Sequence, residues 1–376
     1  MTSGFKIQLS KYVEGFHLSV DFTAKTGITA IVGPSGAGKS MLLNTIAGLA
    51  KPESGTISLN EKLLLDTPSK TNLTPEKRGL GVVFQEARLF PHMTVQSNLT
   101  FSDRPEQNKL SGFDEIIDLL NLRHILKRRP HHLSGGEKQR VAIGRALLSA
   151  PTALLMDEPL ASLDLARRRE IMPFLERLRE HFSLPILYVS HNLDETIRLA
   201  DRVIVMDQGK IVAKGRVDTV LSRIDVQSLI LGSQLPSNAQ PEPVTIVSAK
   251  ISQRHDDGLI SIETPWGALA APDISGDIGR SVRLRIRASD IVLSSAPPEG
   301  LSIRNVIAGE IGIMTEAGSS QMDVLVRPFF GVDPTPIWAR ITRRAAIEMD
   351  LKPDMPIWAL LKAVVLASDI DIDGFQ

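Results

Sequence analysis

Gly33-Pro34-Ser35-Gly36-Ala37-Gly38-Lys39-Ser40 fits the pattern G-x-x-x-x-G-K-[ST] at every fixed position. An apolar run, residues 28–32, precedes it, and residues 41–49 follow with helical periodicity and a closing glycine. The context is therefore strand, glycine loop, helix, which chance glycine turns rarely share. A loop of this kind suits a triphosphate. Gly33, Gly36 and Gly38 let the backbone approach, Lys39 brings a cation to the outer phosphates, and Ser40 brings a hydroxyl for Mg2+. Pro34, Ser35 and Ala37 complete the nucleotide cradle.

Working outward, residues 5–9 and 16–22 read as two alternating strands joined by a turn at Glu14-Gly15. Tyr12 and Phe16 in this lead-in are both candidates for stacking on a nucleotide base. Residues 56–60 and 78–85 read as further strands, the second ending on the amide of Gln85, and the stretch to Asn98 reads as a loop-rich insertion. A helical zone covers 113–126. Ser134, Gly135 and Gly136 then precede a helical run over 141–149; Ser134 is a capping residue, and the glycines leave helix N-terminal amides open to an anion.

Two apolar runs, 152–156 and 185–190, have the pattern of buried parallel strands. The first ends in Asp157-Glu158 and the second in His191. Carboxylates at the C-terminal edge of such a strand lie beside the ligand in doubly wound folds. Asp157 is thus a candidate for holding Mg2+ and Glu158 for activating water, while His191 is placed to hydrogen-bond a terminal phosphate. A hairpin over 203–213 and a helix over 217–231 close this first domain, residues 1–231.

Residues 232–244 read as a polar, proline-rich linker. Beyond it, over 245–376, short alternating strands separated by turns have the pattern of a small β-barrel. Residues 280–288 and 355–363 occupy like places in the two halves of this region, a weak internal repeat. Lysine plus arginine equals aspartate plus glutamate at 43 each, which argues against a general nucleic-acid binder. The chain has no cysteine, so disulfides, thiolate catalysis and cysteine metal sites are excluded. No window approaches the ~20 apolar residues that span a bilayer, and the start lacks the character of a signal peptide.

Taken together, the glycine loop at 33–40, Gln85, Leu133-Ser134-Gly135-Gly136-Glu137, Asp157-Glu158, Ala161-Ser162-Leu163-Asp164 and His191 resemble, in order, the ATP-binding subunits of ABC transporters. The resemblance covers about residues 1–230. It implies an α/β P-loop NTPase core of ABC type with an antiparallel β subdomain and a helical subdomain, followed by a small all-β, OB-like barrel. The cofactors implied are ATP and Mg2+, the ion held by Ser40, Asp157 and Gln85. The implied assembly is a head-to-tail homodimer in which Ser134, Gly135 and Gly136 of one subunit close on the nucleotide of the other. Two integral membrane permease subunits and a separate periplasmic or extracellular solute-binding protein complete it. The chain would then sit peripherally on the cytoplasmic face of the inner membrane.

Residues 245–376 are similar to the Mop and TOBE domains of importer ATPases, with Ser302-Ile303-Arg304-Asn305-Val306 at the start of a Mop-like segment. That likeness implies an oxyanion cargo, molybdate above tungstate, and makes Ser302, Arg304, Asn305 and Lys362 candidate oxyanion residues; a further reading makes this region a regulatory sensor that binds oxyanion and inhibits the ATPase. Two departures weigh on it: Asp354 replaces a common glycine, and Asp333-Pro334-Thr335-Pro336 interrupts a strand. Importers of ferric iron, sulfate, polyamines or sugars share the same core, and a soluble ABC ATPase without transport is the alternative from another class.

Overall fold

In the computed structural model the turn at Glu14-Gly15 joins β1 (Gly4–Val13) to β2 (Phe16–Lys25) as an antiparallel pair. The structure describes residues 4–101, 112–232, 241–272, 277–331, 335–361 and 365–366. Alternation along β1 and β2 sends Phe5, Ile7, Leu9, Leu18, Val20 and Phe22 into a core. β3 (Gly27–Val32) is buried almost throughout and leads through the glycine loop into α1 (Lys39–Ala47). β4 (Ser54–Leu59), β5 (Lys62–Asp66) and β6 (Thr71–Asn72) extend the antiparallel side beyond β1.

The segment after β6 holds α2 (Pro75–Arg78), β7 (Leu80–Val83) and α3 (Val95–Leu99). The expected loop-rich insertion thus contains a short helix, started by the Thr94 hydroxyl accepting from Ser97 N. Buried Asn98 folds the loop before it: its Oδ1 accepts from Phe90 N, and its Nδ2 donates to the carbonyls of Phe90 and Thr94. α4 (Phe113–Leu119) and α5 (Gly135–Leu148) follow. α5 begins at Gly135, earlier than the run over 141–149 suggests, because Ser134 and Glu137 form a reciprocal capping box that draws both glycines into its first turn.

β8 (Ala153–Asp157), α6 (Leu165–His181), β9 (Pro185–Val189), α7 (Leu193–Leu199), β10 (Arg202–Asp207) and β11 (Lys210–Arg216) complete this unit. One eleven-stranded sheet results, in the order β6-β5-β4-β1-β2-β11-β10-β3-β9-β8-β7. From β10 to β7 the strands are parallel. In register, Ile31 and Asp157 both face Val189, so β3, β8 and β9 end side by side. The glycine loop, Glu158 and His191 therefore leave the sheet at one edge, the ligand-binding edge of an open parallel sheet.

The chain divides into two compact units, Met1–Lys214 and Gly215–Gln376. Residues 215–231, grouped by the sequence with the first domain, fold with the second unit. The single helix expected over 217–231 is two, α8 (Val217–Leu221) and α9 (Ile224–Gly232). The break has a physical cause in buried Ser222 and Gln227. Ser222 Oγ accepts from Ile246 N at 2.9 Å, and the Gln227 amide bonds Val244 N, Val244 O and Leu221 O.

The strands of this unit are β12 (Val244–Arg254), β13 (Leu259–Thr264), β14 (Gly267–Pro272), β15 (Ser281–Arg287), β16 (Ile291–Ser294), β17 (Asn305–Ala317), β18 (Gln321–Pro328), β19 (Ile337–Thr342), β20 (Pro356–Leu361) and β21 (Val365–Leu366), with α10 (Arg343–Glu348) after β19. They form two antiparallel five-stranded sheets, β14-β13-β12-β15-β21 and β16-β20-β17-β18-β19. Ile251, Ile262, Leu284 and Ile286 of the first share one core with Ile311, Val324, Val326 and Ala359 of the second. The repeat seen in the sequence has a structural counterpart. β15 and β20 lie in different sheets, and the strand after each crosses over: β16 pairs with β20, and β21 pairs with β15.

Candidate functional site

The glycine loop requires its glycines at two places above all. A Cβ on Gly33 would lie 2.0 Å from Met206 O, and one on Gly38, the residue capping α1 at φ 94°, would lie 3.0 Å from the Phe16 ring. The loop therefore packs closely against β10 and Phe16 and leads into the start of α1, where the helix dipole favours an anion. Lys39 is 6% exposed, and its Nζ donates to the carbonyls of Gly33 and Pro34, both at 2.8 Å. Burial lowers its pKa, and the charges of Glu158 and Asp157 counter that shift. A cation is thus held inside the loop's curve.

Ser40 Oγ donates to Asp157 Oδ1 at 3.0 Å, across the edge where β3 and β8 end. Burial raises the Asp157 pKa, and the Ser40 bond opposes this. Glu158 adopts φ 45°, a left-handed conformation that side chains usually avoid. Its N–H donates to Val189 O, which holds the residue there. The carboxylate faces His191, whose Nδ1 lies 3.3 Å from Glu158 Oε2. The hydrogen bond from His191 holds the Glu158 carboxyl below its ordinary pKa, and the same bond raises that of His191. A cavity of about 330 Å³ is lined by Phe16, residues 35–41 of the loop and α1, and Glu158.

Of the two aromatic candidates, Phe16 lines this cavity. Tyr12 does not: it stacks on His17, ring centroids 3.9 Å apart, and is 56% exposed. Ser134, Gly135 and Gly136 stand at the start of α5 and take no part in the lining. Ser134 Oγ accepts from Glu137 N, and Gly135 packs near Leu163 and Arg167. Gln85 is exposed beyond β7, its carbonyl 3.5 Å from Ser162 Oγ. The structure thus gathers the loop, Phe16, Asp157, Glu158 and His191, and leaves Ser134–Gly136 on another surface.

Several contributors have no signal in the sequence. The positive charge of Arg88, whose guanidinium lies 4.1 Å over the Phe84 ring, acts on Asp157. Gln139, 2% exposed, donates to Phe84 O, and Arg145 donates to the carbonyls of Ala87 and Arg88, so α5 braces the segment after Gln85. Each is one polar residue in a helix or loop whose partner lies more than fifty positions away.

The C-terminal candidates are arranged differently. Ser302 and Arg304 are exposed ahead of β17. Asn305 is buried, with Oδ1 accepting from Ala270 N at 2.7 Å and Nδ2 donating to Ala270 O at 2.8 Å. Its amide acts as an added rung between β17 and β14. Lys362 lies outside the described residues.

Residues 17–161 match the ABC transporter family, and residues 301–367 match the TOBE domain. The Molybdenum import ATP-binding protein ModC of Rhodospirillum rubrum is 43% identical over 357 residues, covering 94% of each chain. The protein of the same name from Paramagnetospirillum magneticum is 41% identical over 356 residues, again covering 94% of each. Among solved structures, a nucleotide-free ATP-binding cassette from an ABC transporter aligns with a TM-score of 0.52 at 28% identity, covering 61% of this chain and 98% of its own.

Proposed function

The chain belongs to the family of molybdenum import ATP-binding proteins of ABC transporters, and from that premise we propose that it hydrolyses ATP to drive the import of molybdate. One observation carries the reading: Lys39, Glu158 and His191 converge on a single glycine loop at the ligand-binding edge of the parallel sheet. In this reading Lys39 and the loop amides hold the outer phosphates, and Phe16 stands beside the base. Glu158, kept deprotonated by its bond from His191, orients the attacking water and accepts its proton. His191 holds the terminal phosphate, so the bond to Glu158 also sets the direction of the imidazole.

Ser40 Oγ and Asp157 Oδ1, 3.0 Å apart beside the loop, are hard oxygen donors of the kind Mg2+ takes, and Gln85 is the third candidate. When bound, the ion would neutralise charge on the phosphate oxygens. A second copy of the chain would bring its Ser134, Gly135 and Gly136 to the exposed side of the nucleotide, since its own copy of that turn lies outside the cavity. Closure of such a dimer on ATP, and its release after hydrolysis, would be transmitted through the segment after Gln85 to two membrane permease subunits. A separate solute-binding protein would deliver the anion, and the chain would act at the cytoplasmic face of the membrane. The oxyanion role of Ser302, Arg304, Asn305 and Lys362 is set apart from this proposal, because the Asn305 amide is committed to Ala270.

The test is ATP turnover by the full-length chain and its Glu158→Gln variant, with molybdate uptake measured in the assembled transporter. Loss of general-base action lowers kcat by about 10²–10⁴-fold, with nucleotide affinity unchanged and uptake abolished. Turnover that survives Glu158→Gln would remove Glu158 from its role, and uptake of another solute in place of molybdate would overturn the cargo assignment.

A further inference from the structure

Arg168 and Glu195 lie next to the nucleotide site but line no part of its cavity. Arg168, in the first turn of α6, gathers three carbonyls of the preceding loop: its Nε donates to Leu160 O at 3.1 Å and Leu163 O at 3.0 Å, and its Nη2 to Ala161 O at 3.4 Å. Its Nη1 lies 3.7 Å from Glu195 Oε1, in a pair whose side chains are 18% and 10% exposed. The other oxygen, Glu195 Oε2, accepts from Ser190 Oγ at 2.8 Å and from Tyr188 OH at 3.0 Å. Ser190 Oγ in turn accepts from Asn192 N at 3.0 Å, so the residues flanking His191 on both sides are bound into the same network.

At its other end the network reaches Glu158. Ala161 N donates to Glu158 O at 3.1 Å, one turn before the carbonyls that Arg168 holds. The two halves of the Glu158–His191 pair thus hang from opposite ends of one arginine–carboxylate bridge. A buried ion pair is weak evidence for stability, since an apolar pair of similar volume often serves as well or better. What an apolar pair lacks is direction, and here the charged groups fix five backbone or hydroxyl partners, three in the loop before α6 and two at the end of β9 and just after it.

We propose that the Arg168–Glu195 pair is a positioning strut that locks the loop over 160–164 to the loop carrying His191, so that neither moves without the other. The strut rests on the ATP-hydrolysis reading for its consequence in turnover, but the mechanical coupling stands apart from it. Both residues are positioning residues, acting through Glu158 and His191.

Two measurements on the full-length chain test it, using Arg168→Met, Glu195→Gln, the double variant, and Arg168→Lys as the conservative change. In amide hydrogen exchange, Glu195→Gln raises exchange across 160–164, and Arg168→Met raises it across 190–192, each about tenfold in the distant loop. In steady-state ATP hydrolysis each single variant lowers kcat about tenfold with KM within twofold, the double variant falls no further than the worse single, and Arg168→Lys recovers part of the loss. Exchange that rises only in the loop nearest each substitution, or single-variant losses in kcat that multiply in the double, would overturn the strut. Glu195→Gln keeps an acceptor for Ser190 and Tyr188, so it remains informative if Arg168→Met fails to fold. An absence of hydrolysis by the unsubstituted chain would count against the ATPase reading, and the exchange arm would still decide the strut.

Discussion

Replacing Arg78 with methionine should destabilise the N-terminal unit by about 2–4 kcal/mol. Arg78 is 1% exposed, and its guanidinium donates to neutral oxygens: Thr45 O and Ile46 O at the end of α1, Leu73 O, and Asn72 Oδ1. A guanidinium at the C-terminus of a helix also complements its dipole, and burial lowers its pKa without displacing its charge at neutral pH. Methionine keeps most of the volume but leaves the carbonyls of Ile46 and Leu73 without their donors. At ~1–3 kcal/mol for each orphaned buried group the gross loss is ~2–6 kcal/mol, and relief from burying the ion brings the net to the lower part of that range. At ~2–4 °C per kcal/mol for a unit of this size, Tm falls by roughly 5–15 °C. Because α1 begins with Lys39 and Ser40, KM for ATP should rise as well.

The assay is urea unfolding followed by far-UV circular dichroism, with tryptophan fluorescence alongside. All three tryptophans, Trp266, Trp338 and Trp358, belong to the C-terminal unit, so fluorescence identifies which unit lost stability. Gly48→Ala provides a second route to the same contact, since its Cβ would lie 2.7 Å from Arg78 Nε at φ 83°. A loss below about 1 kcal/mol for Arg78→Met in the dichroism transition would refute the reasoning, because the buried Ile46 carbonyl and the part-buried Leu73 carbonyl cannot lose charged donors so cheaply.

Phe16→Ala should raise KM for ATP about three- to tenfold, in line with ~0.5–1.5 kcal/mol for an aromatic contact, whereas Tyr12→Ala should change it less than twofold; equal effects would reverse the assignment of the base-side aromatic. The Glu158–His191 pair should show its own pH window. His191 gains stability that is complete below its ordinary pKa of 6.5 and is lost as pH rises through its raised value. Glu158 gains stability that is complete above 4.5 and is lost as pH falls through its lowered value. The Tm difference between the unsubstituted chain and His191→Gln should therefore peak at about pH 5.5 and shrink on either side, and it should be small because His191 is 43% exposed. Asn305→Ala should cost about 1–3 kcal/mol in the tryptophan-monitored transition, since Ala270 N and Ala270 O both lose their partner; no change there would release Asn305 for a ligand role.

Much of this was legible because it is local. Strand, glycine loop and helix over 28–49 need only nearby residues with the right backbone freedom, and the alternation along 5–9 and 16–22 states which face is buried before any partner is known. The acidic ends of the run over 152–156 and the histidine after 185–190 were legible for the same reason, each lying at or just beyond the end of a buried strand. Tertiary structure decided whatever depends on pairing across long separations. The registers of β3, β8 and β9 bring Ser40 to Asp157 and Glu158 to His191. Packing selects Phe16 over Tyr12, commits Asn305 to Ala270, splits the helix after residue 217 and sends β16 and β21 to each other's sheets. Periodicity records which way a side chain faces along its own element. Which group meets it there is set by the packing of distant elements, because burial is non-directional while a buried polar group is stable only against one matching partner.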